Sequence, residues 1–319
     1  MRWALLSALL VVSAACGRGA PGATASREAR AAASGPKRAA GSCAPAPRAP
    51  ASGPPRPAPF VLGLAGGGPP RGLLLALHGY GDDGRRFATD LDLPALAARA
   101  RFVLVAPDGT PDRHGRRFWN ATDACCDFDG LAVDDVAYLT GLVREVAATW
   151  RVPRDRIYVL GLSNGAFMAH RLACEAADDF AAIVAVAGAP FADEARCRPR
   201  SPVSVLQVHG DADAIIAYAG GRDVLGRGGA AYPGAREAAR RWARLDGCGG
   251  PLAPAGPALD LDAAVPGAET RVEAAPGCPP GVDVRLFTMH GAPHVPAFSA
   301  AFGARVWEWL AAHPKLRGR

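Results

Sequence analysis

No two of the eight cysteines stand in the Cys-x-x-Cys spacing of a zinc knuckle, so no structural metal is expected. Beyond the N-terminal run, no uninterrupted apolar stretch approaches ~20 residues, which excludes a later transmembrane helix. Residues 17–59 contain no Leu, Ile, Val or Phe, and 33 of these 43 residues are Ala, Gly, Pro or Ser. Such a segment cannot bury enough apolar surface to offset its ordering entropy, and it reads as a flexible linker. No internal repeat is evident. What is present is apolar enough for a real core: 50% of the 319 residues are hydrophobic, 21% are charged, and the mean hydropathy is +0.06.

A net charge of +6 and a pI of about 9.1 would suggest a nucleic-acid partner. Position removes the suggestion. Residues 1–59 hold eight Lys or Arg against the single acid Glu28, whereas residues 60–319 sum to −1. The linker arginines keep that segment extended and soluble, and no nucleic-acid partner is expected.

The first sixteen residues have the form of an export signal. Arg2 gives a positive start, Ala4 to Val12 an apolar run too short to span a bilayer, and Ser13-Ala14-Ala15 small residues before Cys16. Small residues ending in Cys resemble a bacterial lipobox, with Ser13 where Leu is usual. Cys16 is therefore the lipidation candidate, and a lipoprotein tethered to a membrane through it, or a secreted protein, is expected. Export makes the other seven cysteines readable as disulfides. Cys248 and Cys278 bracket a Pro/Gly/Ala-rich excursion that a bridge would pin. Adjacent Cys125 and Cys126 could each reach a different partner, such as Cys174 and Cys197. Seven is odd, so at least one of the set, which includes Cys43, is free or pairs with another chain.

From Phe60 the rhythm is short apolar strand, Gly-rich turn, amphipathic helix. The strands are Leu73 to Leu77, Phe102 to Ala106, Ile157 to Leu160, Ala181 to Ala187, Val203 to Val208 and Val284 to Phe287. Near-continuous apolar strands indicate a parallel sheet buried on both faces. Helices are expected at Leu93 to Ala100, Val136 to Trp150, Ala166 to Glu175, Ala235 to Leu245 and Phe298 to Ala312, with Asp134-Asp135 at the start of the second. This pattern gives three segments: 1–16 signal, 17–59 linker, and one three-layer α/β domain over 60–319.

Gly161-Leu162-Ser163-Asn164-Gly165 lies between a strand and a helix. Small residues two before and two after a serine let the chain turn sharply, so the hydroxyl stands above the sheet as a nucleophile. In this arrangement the acid and the base follow in chain order. After strand Val203 to Val208 come Asp211 and Asp213, both placed for the acid; Asp213 is preferred, with Asp211 capping the turn. After the last strand come His290 and His294; His294, between prolines on a loop tip, is preferred as base and His290 is read as structural. Backbone N–H groups of Asn164 and Tyr80 are the expected oxyanion donors, with Gly81 behind Tyr80. His78 and His209 are read as structural, His78 holding its loop through hydrogen bonds.

These features together resemble exported α/β-hydrolase esterases of the polyhydroxybutyrate depolymerase and feruloyl or acetylxylan esterase group. The resemblance is carried by His78-Gly79, Pro107-Asp108-Gly109, Arg117 to Ala121 leading to Cys125-Cys126, and Val133 to Val136. It is carried further by the Gly161–Gly165 turn running into Arg171 to Cys174, His209-Gly210 with Asp213, His294, Cys248 after Trp242, and Cys278. It implies the α/β-hydrolase fold, a Ser163/Asp213/His294 triad, no cofactor or metal, and Trp119 lining the substrate pocket, unless Trp119 is a buried loop anchor. Two positions depart from the group: Ala166 where Gly is frequent, and Val295-Pro296 where Trp often follows the catalytic His. No lid insertion lies between Ala187 and Val203. The expectation is a monomeric exported serine esterase acting on short hydroxyalkanoate oligomers or feruloyl or acetyl esters. A serine peptidase or acyltransferase on the same fold, and a non-catalytic surface lipoprotein, are the alternatives.

Overall fold

Alternate residues of one strand divide the core. Leu73, Leu75 and Leu77 face one helical layer, and Leu74 and Ala76 the other, all of them buried. The structure, a computed structural model, describes residues 56–64, 68–222, 224–226 and 229–315. In chain order its strands are β1 (Phe60–Leu62), β2 (Leu73–Leu77), β3 (Val103–Ala106), β4 (Thr110–Pro111), β5 (Arg117–Phe118), β6 (Ile157–Leu162) and β7 (Ala182–Val186). They continue with β8 (Ser204–Gly210), β9 (Gly220–Arg222), β10 (Ala231–Pro233), β11 (Ala253–Pro254), β12 (Thr270–Ala274) and β13 (Val284–Met289). The helices are α1 (Gly84–Asp90), α2 (Leu93–Ala100), α3 (Asp135–Trp150), α4 (Asn164–Glu175), α5 (Ala235–Leu245) and α6 (Ala300–Ala312).

Nine strands form the main sheet in the order β1-β3-β2-β6-β7-β8-β13-β12-β11. The six from β3 to β13 are parallel; β1, β12 and β11 join by antiparallel pairing, with β1 and β11 at the edges. Helices α3, α4 and α5 cover one face; α1, α2 and α6 cover the other. β4–β5 and β9–β10 are separate hairpins. This is the α/β-hydrolase fold expected from the sequence. The excursion between Cys248 and Cys278 is more than loop, because β12 pairs with β13 through five residues and extends the sheet. Its alternating Thr270, Val272 and Ala274 sit on one strand among turn residues, so the apolar run is too short to stand out.

A polar network crosses the core. The indole N–H of Trp242 on α5 donates to His170 Nδ1 on α4 at 2.9 Å, so Nε2–H donates to Gln207 Oε1 on β8 at 3.0 Å. Gln207 passes the bond to the Gly188 carbonyl at 2.9 Å. Complete burial pushes His170 down to about 4, and it stays neutral.

Two readings of the sequence are corrected. Cys125 and Cys126 pair with each other, Cys174 pairs with Cys197, and Cys248 with Cys278, so the adjacent cysteines do not reach across to Cys174 and Cys197. Cys174 at the end of α4 and Cys197 lie 4.7 Å apart between Cα atoms, already within bridging reach. The second concerns Arg56, assigned to the linker. Its guanidinium is buried against Asp135 at 2.5 Å and Thr110 at 2.6 Å, so this residue packs with the domain although it lies ahead of Phe60. The signal segment, Cys16, Cys43 and the rest of the linker lie outside the described residues.

Two measurements test these assignments. The Cys248–Cys278 bridge closes a loop of 30 residues, so replacing both with Ser should lower stability by about 3–4 kcal/mol in urea titrations. At the end of α5, Asp246 accepts the Val203 N–H at 3.1 Å while burial pushes its carboxyl up to about 7. A folded-state value above the unfolded one gives stability that is complete below pH ~4 and is lost as pH rises through about 7. Asp246→Asn should lack that loss, so the stability difference between variant and wild type, measured in urea titrations, should shift in the variant's favour as pH rises from about 4 to about 7.

Candidate active site

At the C-terminal end of β6 the chain must reverse into α4 within one residue, and Ser163 takes the strain with φ 55° and ψ −120°. Its N–H is fixed to the Val186 carbonyl at 2.8 Å, and its carbonyl accepts from Ala166 and Phe167. A Cβ on Gly161 would lie 2.1 Å from the Gly165 carbonyl oxygen, and one on Gly165 would lie 2.1 Å from that of Leu77. No side chain fits at either position. The glycines therefore allow strand and helix to close on the turn.

The parallel pairing of β8 and β13 ends at Gly210 opposite Met289, which puts the two following loops side by side. Asp211 N–H bonds to the Met289 carbonyl, and Ala212 N–H to that of Ala292. His294 Nδ1 lies 2.7 Å from Asp213 Oδ2, and His294 Nε2 lies 2.9 Å from Ser163 Oγ. A carboxylate only accepts, so Nδ1–H donates to Asp213 and Nε2 accepts the serine hydroxyl. That is the alignment a base needs to take a proton from the serine as it attacks.

Asp213 Oδ1 accepts the N–H groups of Ile215 and Ile216, both at 2.8 Å. Burial pushes its carboxyl up, but hydrogen bonds from His209 and His294 outweigh this and hold it well below the usual carboxylate range. His209 is thus more than a strand-end residue: its Nε2 lies 2.8 Å from the Ile216 carbonyl and 3.2 Å from Asp213 Oδ2. The competing pair is also formed, since His290 Nδ1 lies 2.6 Å from Asp211 Oδ2 and Gly291 N–H donates to Oδ1. His290 is 84% exposed on its side chain and reaches no serine in the described residues.

The backbone N–H of Asn164 heads α4 beside Ser163 and has no partner among the described residues. On the opposite side, a Cβ on Gly79 would sit 3.5 Å from Ser163 Cβ, so the Gly79-Tyr80 loop borders the hydroxyl directly. His78 holds this loop: Nε2 accepts the Gly109 N–H at 2.9 Å, leaving Nδ1–H for the Gly79 carbonyl at 2.7 Å. Burial lowers its pKa and keeps it neutral. Tyr80 is gripped at its hydroxyl by Asp112 at 2.6 Å.

Trp119 does not line the pocket; it is wholly buried. Its N–H and carbonyl pair with the Asn164 side-chain amide at 2.7 and 2.9 Å, and its indole donates to the His78 carbonyl at 3.1 Å. The anchoring alternative holds: the indole N–H is committed to the His78 carbonyl, and the ring is buried away from the cleft. The cleft beside Ser163, about 690 Å³, is instead walled by Tyr80, Phe87, Leu91, Leu162, Pro296 and Phe298, with Asp82, Arg86 and Asp90 at its edge. Sequence reading missed the α1 wall, although Asp83 caps that helix by accepting the Arg86 N–H and supplied a signal. Among the described residues, no three His, Cys, Asp or Glu are grouped to hold a metal ion.

Asp213→Asn should leave the fold intact and lower kcat by about 10³–10⁴-fold, because the amide cannot hold His294 in the required tautomer. Asp211→Asn should change kcat less than about threefold, well inside the range left by a surface residue. Equal losses would reverse the choice of acid.

Residues 69–234 match the family model described as Esterase PHB depolymerase. Over 150 residues the chain is 33% identical to "Putative esterase NocK" of Nocardia uniformis subsp. tsuyamanensis, covering 47% of this chain and 42% of that protein. Over 196 residues it is 28% identical to feruloyl esterase B of Piromyces equi, covering 60% and 33% respectively. The chain thus spans less than half the length of the curated relatives it matches. Among solved structures, acetyl xylan esterase from Aspergillus awamori superposes with a TM-score of 0.55 at 16% identity, over 80% of this chain and 94% of that one. At that identity the likeness speaks to the fold alone. The family match takes in more than half of the sequence, from the Gly79-Tyr80 loop through the Ser163 turn to Asp213, and the chain belongs to the Esterase PHB depolymerase family.

Proposed function

We propose that this protein is an exported serine esterase that hydrolyses carboxylic esters through an acyl-enzyme. The observation that carries the reading is the unbroken series Asp213–His294–Ser163, at 2.7 and 2.9 Å, opening on the cleft. Ser163 Oγ attacks the ester carbonyl while His294 Nε2 takes its proton. The N–H groups of Asn164 and Tyr80 receive the oxyanion of the tetrahedral adduct. As the adduct collapses, the C–O bond to the alcohol breaks and His294 returns the proton to the leaving oxygen. Water then attacks the acyl-enzyme, giving its proton to His294, and the carboxylic acid leaves as Ser163 is reprotonated. Asp213, ionised throughout, stabilises the imidazolium formed in each half.

The names of the relatives and the apolar walls at Phe87, Leu91 and Phe298 support feruloyl, acetyl or short hydroxyalkanoyl esters as substrates. Three disulfides among the described residues support an oxidising compartment. With Cys16 lipidated, the linker would tether the domain to a membrane.

Turnover of p-nitrophenyl acetate and butyrate, alongside Ser163→Ala, tests the reading. The variant should lose at least about 10³-fold in kcat, and a fluorophosphonate probe should label wild type at Ser163 only. Equal turnover by both proteins, or labelling elsewhere, would remove the assignment. Methyl ferulate, acetylated xylan and hydroxybutyrate oligomers then rank the substrate classes.

A further inference from the structure

Arg56 precedes the first strand, yet its side chain is only 6% exposed. Its Nη2 donates to Asp135 Oδ1 at 2.5 Å and to Thr110 Oγ1 at 2.6 Å. The guanidinium lies 4.1 Å from the ring centre of Tyr138 and 5.8 Å from that of Trp119. The other oxygen of the same carboxylate, Asp135 Oδ2, accepts the Asn120 N–H at 2.7 Å, and Asn120 is fixed further by its amide to the Val133 carbonyl at 2.9 Å.

The next residue along is Trp119, whose backbone is doubly bonded to the Asn164 side chain and whose indole holds the His78 carbonyl. The Trp119-Asn120 segment is therefore gripped by Asp135 on one side. On the other it grips both elements that border the serine: the head of α4 and the Gly79-Tyr80 loop. From Arg56 to Asn164 the bonds run without a break through Asp135, Asn120 and Trp119.

Stability is a poor reason for this ion pair. Burial pushes the Asp135 carboxyl up even beside Arg56, so the attraction does not fully offset desolvation. Arg56 Nη1 is buried with no partner among the described residues, a further cost. What the pair does supply is a cation 2.5 Å from Oδ1 that favours the ionised carboxylate and leaves Oδ2 to accept the Asn120 N–H.

We propose that Arg56, just ahead of β1, is a positioning residue for the oxyanion donors. It acts through Asp135, Asn120 and Trp119 on the backbone N–H groups of Asn164 and Tyr80. This rests on the serine esterase reading. Without Arg56, the buried Asp135 protonates or draws in water. Either change loosens Asn120, and the Trp119 segment shifts relative to the oxyanion. Displacement of donors that act mainly in the transition state lowers kcat and leaves substrate binding nearly unchanged.

The test uses the full chain as wild type, Arg56→Met, Arg56→Gln and Arg56→Lys. All are assayed well below their melting temperatures and normalised to sites titrated by a fluorophosphonate. The expected result is a loss of about 10-fold in kcat for Arg56→Met and Arg56→Gln, with KM within about twofold. Arg56→Lys, which keeps a cation on Asp135, should recover at least half of that loss on a logarithmic scale. A phenylboronate, whose tetrahedral adduct on Ser163 places an oxygen at the same donors, should lose affinity by about the same factor as kcat. If kcat per titrated site and boronate affinity both stay near wild type while the melting temperature alone falls, Arg56 is a structural anchor and the proposal is overturned. Wild type that fails to turn over any ester, or turns over equally as Ser163→Ala, would overturn the esterase reading itself and the proposal with it.

Discussion

Everything at the site is arranged around a backbone conformation that an L-residue resists. Ser163 sits at φ 55°, ψ −120°, a strained state costing on the order of 1–3 kcal/mol. It persists because its surroundings leave no alternative: β6 lies between β2 and β7, its end is tied to Val186, and α4 starts immediately. Gly161, Gly165 and Gly188 then bring three backbones together so closely that a Cβ on any of them would meet a neighbour at 2.1 to 2.6 Å. The strain is repaid by position, since the hydroxyl is held clear of its own strand and beside the first free N–H of a helix.

A second constraint selects which acid and which histidine serve the serine. Two Asp–His pairs form at the ends of β8 and β13, and their bonds are of similar length, 2.6 Å for Asp211–His290 and 2.7 Å for Asp213–His294. Burial distinguishes them. Asp213 is enclosed, with two backbone N–H groups and two imidazoles pointing at it, so its charge is fixed in a poorly screened setting. His290 stands in solvent on its own turn, and its pairing with Asp211 shapes the loop that presents His294.

Much of this was legible in the sequence because it follows from local rules. The parallel strands are uniformly apolar, and Leu93–Ala100 and Ala235–Leu245 begin and end where periodicity put them. The serine turn is marked by its glycines, and chain order confined acid and base to two residues each. The parts that were not legible depend on contacts between segments distant in sequence. Trp119 could be a wall or an anchor until the Asn164 amide was seen to hold both its backbone groups. Cys125 and Cys126 carry no mark of their partner in their spacing. Arg56 lies in a run of Ala, Pro and Gly whose composition has no apolar signal, and its burial depends on a carboxylate 79 residues away. Strands β12 and β11 escaped for a related reason: near the rim of the sheet a strand needs only one buried face, and β11 has just two residues.

The two halves of the site therefore rest on different kinds of structure. Ser163, Asp213 and His294 stand at the ends of neighbouring strands, where the ladder of the sheet sets their spacing and a small change in any loop is absorbed elsewhere. The oxyanion side has no such ladder. Tyr80 hangs between His78, Asp112 and the β4–β5 hairpin, whose Arg117 carbonyl takes the Gly81 N–H at 2.8 Å, and Asn164 is steadied sideways by Trp119. That side is assembled from side-chain bonds, each with a donor or acceptor that a single substitution removes. On the serine esterase reading, changes between residues 108 and 135, or at Arg56, should accordingly grade the rate, whereas changes at the three strand-end residues should cost most of it. A fold of this kind can vary its rate through the loops and leave its chemistry untouched.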